Sequence, residues 1–499
     1  MQSLTLRFTS EGPLYHQLYA RLADDIRAGC LAAGEKLPSK RRLAEQLHIS
    51  LNTVDTAYQM LVAEGYLAAR PRSGFVVCRL EQPVPSAAQH ADCHGQTDAA
   101  LCSREAGTAP RANAGAAAAD LPQTAFDSAL GAGSAARYHF ETAAIDTTLF
   151  PFKAWRRLQR DLLAGDPSLL NHGHRQGDEN LRRAIATYLH EFRGAQCAAE
   201  QVVVGAGIEY LLGLLARLFA GRTFAVEDPG YARTHRILEN SGANVAFVPV
   251  DSEGMTVDAL RASGAQLAYV TPSHQFPTGV TMPVGRRTAL LHWAAQAPER
   301  YLIEDDYDSE FRFDGKPLPA LQGLDDGTHV IYISTFSKSI APAIRIGYMV
   351  LPPALLLRYR EEFGFYSSTV SRFEQQTLCR FMDEGYFARH LARLRIAYRQ
   401  RRDALVAALQ SALGSGAKIY GSHTGLHLLL QMDGGMTQAQ LVVAAAQCGV
   451  YLTGLSDYYA SAKTRAACPP ATVVLGYAAL PLAEIANAAD ALRTAWKKP

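Results

Sequence analysis

The sequence predicts an α/β protein whose large, mostly parallel sheet follows a small N-terminal head of three helices and a β-hairpin. Three observations carry that prediction. Apolar β-like runs alternate with helical segments from about residue 137 onward. The first 80 residues hold three helix-period patterns and one hairpin pattern. Between them, residues 81–136 are rich in Ala, Gly, Pro and Ser and nearly devoid of large apolar side chains, which reads as a flexible linker. The division is therefore a head at 1–80, a linker at 81–136 and a body at 137–499. A chain of 499 residues exceeds one ordinary domain of about 100–200 residues, and 48% hydrophobic against 19% charged residues suits sizeable cores.

Net charge is +2, from 49 Lys+Arg and 47 Asp+Glu, too balanced for a chain that coats nucleic acid. Residues 1–80 nevertheless hold 10 Lys+Arg and 7 Asp+Glu, leaving 39 and 40 for the remainder, so the positive excess sits in the head. Eight cysteines are scattered without CxxC spacing, which disfavours a disulfide framework. Cys93 and Cys102 lie with His90 and His94 in the linker but lack the paired four-ligand spacing of a zinc site, so no metal is expected. Met1–Ser10 has no apolar targeting core, and no stretch approaches the roughly 18 apolar residues of a membrane span. The expected setting is cytoplasmic, with no membrane partner.

In the head, Leu14, Leu18, Leu22 and Ile26 mark one face of a first helix ending near Gly29. A second helix starts with Ser39 as cap and runs through Leu43, Ala44 and Leu47. After His48-Ile-Ser50, a third helix buries Val54, Ala57, Tyr58 and Leu61 and turns Asn52, Thr53, Thr56 and Gln59 outward. Two helices joined so tightly form a helix-turn-helix, whose second member fits a major groove about 12 Å wide. Leu67–Val77 reads as a hairpin turning at Pro71-Arg-Ser-Gly74, a wing with Arg70 and Arg72 near its tip for phosphates or the minor groove. Lys40, Arg41 and Arg42 gather beside Ser39 at the second helix's start, so Ser39, Lys40, Arg41, Arg42, Asn52, Thr53, Thr56, Arg70 and Arg72 are the candidate contacts to double-stranded DNA.

Pro13-Leu-Tyr-His-Gln-Leu18, Gly34-Glu-Lys-Leu-Pro-Ser39, Arg41, Leu43-Ala44, Asn52-Thr-Val54, Ala57-Tyr58 and Glu64-Gly-Tyr-Leu67 together resemble the GntR type of winged helix. Members commonly carry an arginine, often a base contact, just before the Asn/Thr-Thr-Val run. This chain has Leu51 there, so the family's usual operator preference does not transfer.

The body's strand-like runs are 201–204, 223–226, 245–248, 267–270, 301–303 and 330–333. Ligands of such sheets bind beyond the carboxyl ends of the strands, and the unusual residues lie there. Lys338, in Ser334-Thr-Phe-Ser-Lys338, is placed to act as an amine of lowered pKa, with hydroxyls and Arg345 nearby for a phosphate. Glu304-Asp-Asp-Tyr307 supplies a carboxylate for a pyridine nitrogen and a phenol for a ring oxygen, and Gly205-Ala-Gly-Ile208 leads from a strand into a helix whose N-terminus favours a phosphate.

From about Phe150 to Trp496 the chain resembles the fold-type I aminotransferases, which bind pyridoxal 5′-phosphate. The resemblance implies Lys338 as the aldimine lysine, Asp305 as partner of the pyridine nitrogen with Asp306 as its rival, Tyr307 at the phenolic oxygen, and Tyr231 stacked on the ring. It also implies phosphate contacts from Ala206, Gly207, Thr335, Ser337 and Arg345. Where relatives place a cofactor-bonding asparagine, this chain reads Pro272-Ser-His-Gln-Phe-Pro-Thr-Gly279, so His274 or Gln275 must substitute or the contact is missing. Val473-Val-Leu-Gly-Tyr477 lacks the arginine that often holds a substrate carboxylate, leaving Arg233 as the candidate effector contact with Arg236 nearby. His172 stands where relatives carry a tyrosine reaching the neighbouring subunit's phosphate.

A winged helix joined to such a body resembles the MocR-type regulators of the GntR family. That likeness implies a homodimer, head-to-tail, and a transcriptional regulator that binds the cofactor on Lys338 and senses an amino-containing effector or the cofactor itself. The alternative is an active aminotransferase with an attached DNA-binding head. The altered asparagine motif and the missing arginine lean against efficient turnover, though a transaminase half-reaction remains compatible with Lys338.

Overall fold

A computed structural model describes residues 14–70, 74–78, 136–313 and 318–496. The linker expected at 81–136, all but its last residue, lies outside the described residues, as do Cys93, Cys102, Arg72 and the tip of the wing.

The head is built as its apolar spacing dictates. Helices α1 (Leu14–Arg27), α2 (Lys40–Leu47) and α3 (Leu51–Ala63) precede the antiparallel strands β1 (Leu67–Arg70) and β2 (Gly74–Val77). Leu18, Leu22 and Ile26 of α1 meet Leu43, Val54, Ala57, Tyr58 and Leu61 in one core, while Leu14 stays exposed in the first turn. Ser39 and Ser50 cap α2 and α3, their hydroxyls accepting from the backbone N–H groups of Arg42 and Thr53. His48 closes α2 in the left-handed region at φ +53°, which sets the tight turn between the two helices.

The body is centred on an eight-stranded sheet: β3 (Val202–Gly205), β4 (Thr223–Asp228), β5 (Asn244–Asp251), β6 (Gly254–Met255), β7 (Leu267–Val270), β8 (Tyr301–Asp306), β9 (Val330–Thr335) and β10 (Gly347–Val350). Their spatial order is β3-β10-β9-β8-β7-β4-β5-β6. The run from β9 to β5 is parallel, as the sequence predicts. β10, which apolar spacing does not distinguish from a loop, enters antiparallel between β9 and β3.

Both faces of the sheet are covered. Val226, Tyr269 and Ile303 pack into one core with helix α5 (Ile208–Leu218), which follows α4 (Glu179–Arg193). Their chain neighbours Ala225, Ala268 and Leu302 pack into another core with α7 (Val284–Ala295), which follows α6 (Ala232–Asn240). This two-sided burial explains why the strands read as continuous apolar runs rather than alternating ones. A second sheet of four strands, with β11 (Ala417–Tyr420), β12 (His427–Met432), β13 (Thr453–Gly454) and β14 (Thr472–Gly476) in the order β11-β12-β14-β13, is antiparallel. It shares a core with α8 (Tyr386–Leu413), α9 (Ile485–Trp496) and the incoming residues Tyr138 and Phe140. Among the described residues no helix is long and apolar enough to cross a membrane.

Candidate functional site

The carboxyl ends of β8 and β9 bring together the groups that the sequence singles out. Lys338 lies just past β9, half-buried, and its Nζ donates to the carbonyls of Thr142 and Ala143 at 2.7 and 2.8 Å. Both acceptors are neutral, so burial outweighs the nearby Asp308 charge and lowers the lysine pKa to about 8.

Asp305 and Asp306 are adjacent on β8 and point to opposite faces, as the strand pleat requires. Asp306 is committed through Oδ2, while its Oδ1, like that of Asp305, is buried with no partner among the described residues. It accepts from Arg193 Nε at 2.7 Å, from Ser309 Oγ at 2.9 Å and from the Tyr332 hydroxyl. Asp305 accepts only from the Tyr269 hydroxyl, and its Oδ1 is buried with no partner among the described residues. Burial raises the Asp305 carboxyl pKa to about 7, against the Tyr269 hydrogen bond that lowers it.

Tyr307 sets its hydroxyl 2.9 Å from His274 Nδ1, which is also 2.9 Å from Asp308 Oδ2. His274 Nε2 is buried and unpartnered among the described residues. Gln275 differs. Its amide nitrogen donates to the carbonyls of Pro229 and Phe276 at 3.0 and 2.7 Å, and its oxygen accepts from Thr278 Oγ1 at 2.5 Å. Of the two candidates in this loop, His274 reaches Tyr307 while Gln275 holds the loop together. Phe276 stands edge-on to Tyr231 and Tyr307 with ring centroids 5.8 and 6.2 Å away.

A second group of candidates forms an anion cradle. Gly207 caps α5 at φ +85°, and a Cβ there would come within 2.8 Å of the Arg345 guanidinium, so only glycine lets the arginine close over the helix start. Thr335 Oγ1 and Ser337 Oγ are 2.9 Å apart, and the Ser337 N–H donates to Thr335 Oγ1 at 3.2 Å. The Ala206 N–H donates to Thr369 Oγ1 at 3.0 Å. Sequence reasoning missed Thr369; the hydroxyl-rich run Ser367-Ser-Thr369 was the available signal, but its partner is 163 residues away. Glu209 bridges the cradle's cations, with Oε2 2.5 Å from Arg345 and Oε1 3.4 Å from Arg233. His172 is exposed and lines a hollow of about 280 Å³ with Ser367, Ser368 and Arg372.

On the head, Arg41, Arg42, Asn52 and Arg70 are exposed, while Lys40 is ion-paired with Asp55 across α2 and α3. Thr53 Oγ1 lies 2.8 Å from Ser50 Oγ, and Thr56 Oγ1 donates to the Asn52 carbonyl at 2.8 Å. The end of α3 opposite its Ser50 cap meets the body directly. The Val284 N–H donates to the Glu64 carbonyl at 2.7 Å, and the Val284 side chain is buried in the head's own core. Glu64 Oε2 accepts from the Tyr19 hydroxyl at 2.6 Å, Oε1 has no partner among the described residues, and burial raises its pKa to about 7. Arg287, one turn further along α7, donates from Nε to Met282 and from its guanidinium to Pro272, both carbonyls of the loop that carries His274.

Residues 143–492 match the family "Aminotransferase class I and II", and residues 14–77 match "Bacterial regulatory proteins, gntR family". The chain is 38% identical over 494 residues to the uncharacterized HTH-type transcriptional regulator YdeL of Bacillus subtilis (strain 168), covering 99% of this chain and 98% of that protein. It is 33% identical to the probable rhizopine catabolism regulatory protein MocR of Rhizobium meliloti, covering 99% and 96%. The solved multiple substrate aminotransferase from Thermococcus profundus is 24% identical, with a TM-score of 0.65 over 76% of this chain and 95% of that one, and shares the body's fold.

Proposed function

Because the chain belongs to the MocR-like HTH-type transcriptional regulators, with a GntR-type DNA-binding head and an aminotransferase class I and II body, we propose that the body holds pyridoxal 5′-phosphate and uses it to sense an amino-containing ligand. The observation that carries this reading is that Asp305, unlike Asp306 with its Arg193 partner, is a buried carboxylate with no cation paired to it among the described residues and an orphaned Oδ1, at the end of the strand beside the one that leads to a lysine of lowered pKa. A buried carboxylate oxygen without a partner is costly. A protonated pyridine nitrogen satisfies both its charge and its hydrogen bond, so these residues fit the cofactor.

When bound, pyridoxal phosphate supplies an aldehyde that exchanges reversibly between amines. Lys338 contributes an amine whose neutral fraction near physiological pH is far larger than that of an ordinary lysine. Asp305 holds the ring nitrogen's proton, Tyr307 and His274 supply hydrogen bonds at the ring oxygen, and Tyr231 covers a ring face. The α5 N-terminus at Ala206 and Gly207, with Thr335, Ser337, Arg345 and the added Thr369, takes the phosphate. Arg233, already beside Glu209, is placed to take an effector carboxylate. His172 serves a neighbouring subunit in a head-to-tail homodimer.

Transmission to the DNA-binding head runs through the contact at Glu64 and Val284. A ligand acts only by binding two arrangements unequally, and the loop that carries His274 is held by Arg287 on the same helix whose first residue bonds the end of α3. Borohydride treatment followed by intact-mass measurement tests the reading: wild type gains the mass of the reduced adduct, the cofactor less one oxygen after loss of water and addition of two hydrogens, and Lys338→Ala does not. Retention of that mass in Lys338→Ala would overturn the assignment. Incubation with amino acids and keto acids separates the alternatives, because sustained keto-acid release identifies an enzyme and a spectral change that halts after one exchange identifies a sensor.

A further inference from the structure

Leu51 is the first residue of α3 and is 43% exposed, a large aliphatic side chain on a face otherwise made of polar residues. In a helix-turn-helix the first residues of the second helix approach base edges in the major groove. The polar side chains around Leu51 are largely engaged within the head. Thr53 is bonded to Ser50, Thr56 to the Asn52 carbonyl, and Gln59 Nε2 to Asp55 Oδ2 at 3.1 Å. That leaves Leu51 and the exposed amide of Asn52 as the side chains at the leading edge of α3, with exposed Arg41 and Arg42 on α2 suited to phosphates. Leucine offers no donor or acceptor, so a polar base edge placed against it loses water without gaining a hydrogen bond. The one apolar group that B-DNA presents in the major groove is the C5 methyl of thymine.

We infer that Leu51 is a specificity-determining residue of the reader, packing on the C5 methyl group of a thymine beneath each bound head. Asn52 beside it carries the amide that matches adenine N6 and N7, so the two residues together read an A·T step. Guanine at the Leu51 position is disfavoured because nothing there bonds O6 or N7.

The full-length protein tests this by selecting duplexes from a random library, after which each thymine of the selected site is replaced in turn by deoxyuridine, which lacks only that methyl. One thymine beneath each head should weaken wild-type binding roughly fourfold when its methyl is removed, the effect expected for one buried methyl. Leu51→Ala should bind the thymine and uracil forms of that position equally, and Leu51→Met should still distinguish them. The inference is overturned if no thymine shows the effect in wild type, or if Leu51→Ala keeps it.

Discussion

Val284 of the body and Glu64 of the head share a backbone hydrogen bond of 2.7 Å, so the first residue of α7 is fastened to the C-cap of the reading helix α3. Pro283 lies against Gly65, which stands at φ +79°, and the Val284 side chain completes the head's core. This contact ties a segment that continues from the loop carrying His274 to the element that reads DNA.

Val284→Ala removes two methyl groups from that core, which weakens it by about 1.5 kcal/mol. Hydrogen exchange should quicken at the C-terminal turn of α3 and at Glu64–Tyr66. Cofactor affinity should be unchanged, while the difference in DNA affinity between cofactor-loaded and cofactor-free protein shrinks. Unaltered exchange at α3 would show that the contact bears none of the coupling.

The two neighbouring aspartates predict opposite phenotypes. Arg193→Ala strands a buried Asp306 charge and should destabilise the body by about 3–5 kcal/mol in chemical unfolding. Asp305→Asn keeps the Tyr269 contact and should leave stability within about 1 kcal/mol, yet lower pyridoxal phosphate affinity about a hundredfold, the worth of a hydrogen bond to a charged group. Fluorescence titration with the cofactor measures the second effect.

In the proposed role Lys338 would attach the cofactor only as the free amine. With its pKa lowered to about 8, the rate of cofactor uptake should rise with pH and level off above about 8, rather than climbing toward the ordinary lysine value of 10.5. Stopped-flow absorbance between pH 6 and pH 10 would reveal a profile still rising steeply at pH 10 if the lysine were unperturbed.

Glu64 has a folded pKa of about 7 against an ordinary 4.5. A carboxyl raised on folding contributes stability that is fully present below about 4.5 and lost as pH rises through about 7. Glu64→Gln retains an acceptor for Tyr19 without the charge, so at pH 8 it should stabilise the head by about 1–3 kcal/mol, and at pH 5 the gain should nearly vanish. Calorimetric melts at the two pH values check both the sign and the window.

Much of this was legible in the chain. The five central parallel strands, the capping serine Ser39, and the placing of Lys338, Asp305 and Tyr307 at strand ends follow from local spacing and from rules about where α/β sheets bind ligands. The choice between Asp305 and Asp306 did not, because β8 is buried on both faces and its alternation leaves no apolar–polar pattern. What separates the two is Arg193, 113 residues away. Thr369 and the bond from Val284 to Glu64 were hidden for the same reason: their partners are distant in sequence, and the groups involved, one hydroxyl and three backbone groups, carry no motif. His274 and Gln275 were indistinguishable as residue types, and only the folded loop commits Gln275 to the carbonyls of its neighbour Phe276 and of the distant Pro229.

Glu209, the carboxylate bridging Arg345 and Arg233, turns the cradle into an ion exchanger. An anion that engages Arg345 competes with the carboxylate of Glu209, which sits in the first turn of α5. A doubly charged phosphate carried on a molecule with other handholds in the cleft can displace the carboxylate, and Glu209 is then left to Arg233. On the reading proposed above, entry of the cofactor adjusts the charge beside Arg233, so the cofactor is expected to arrive before the effector.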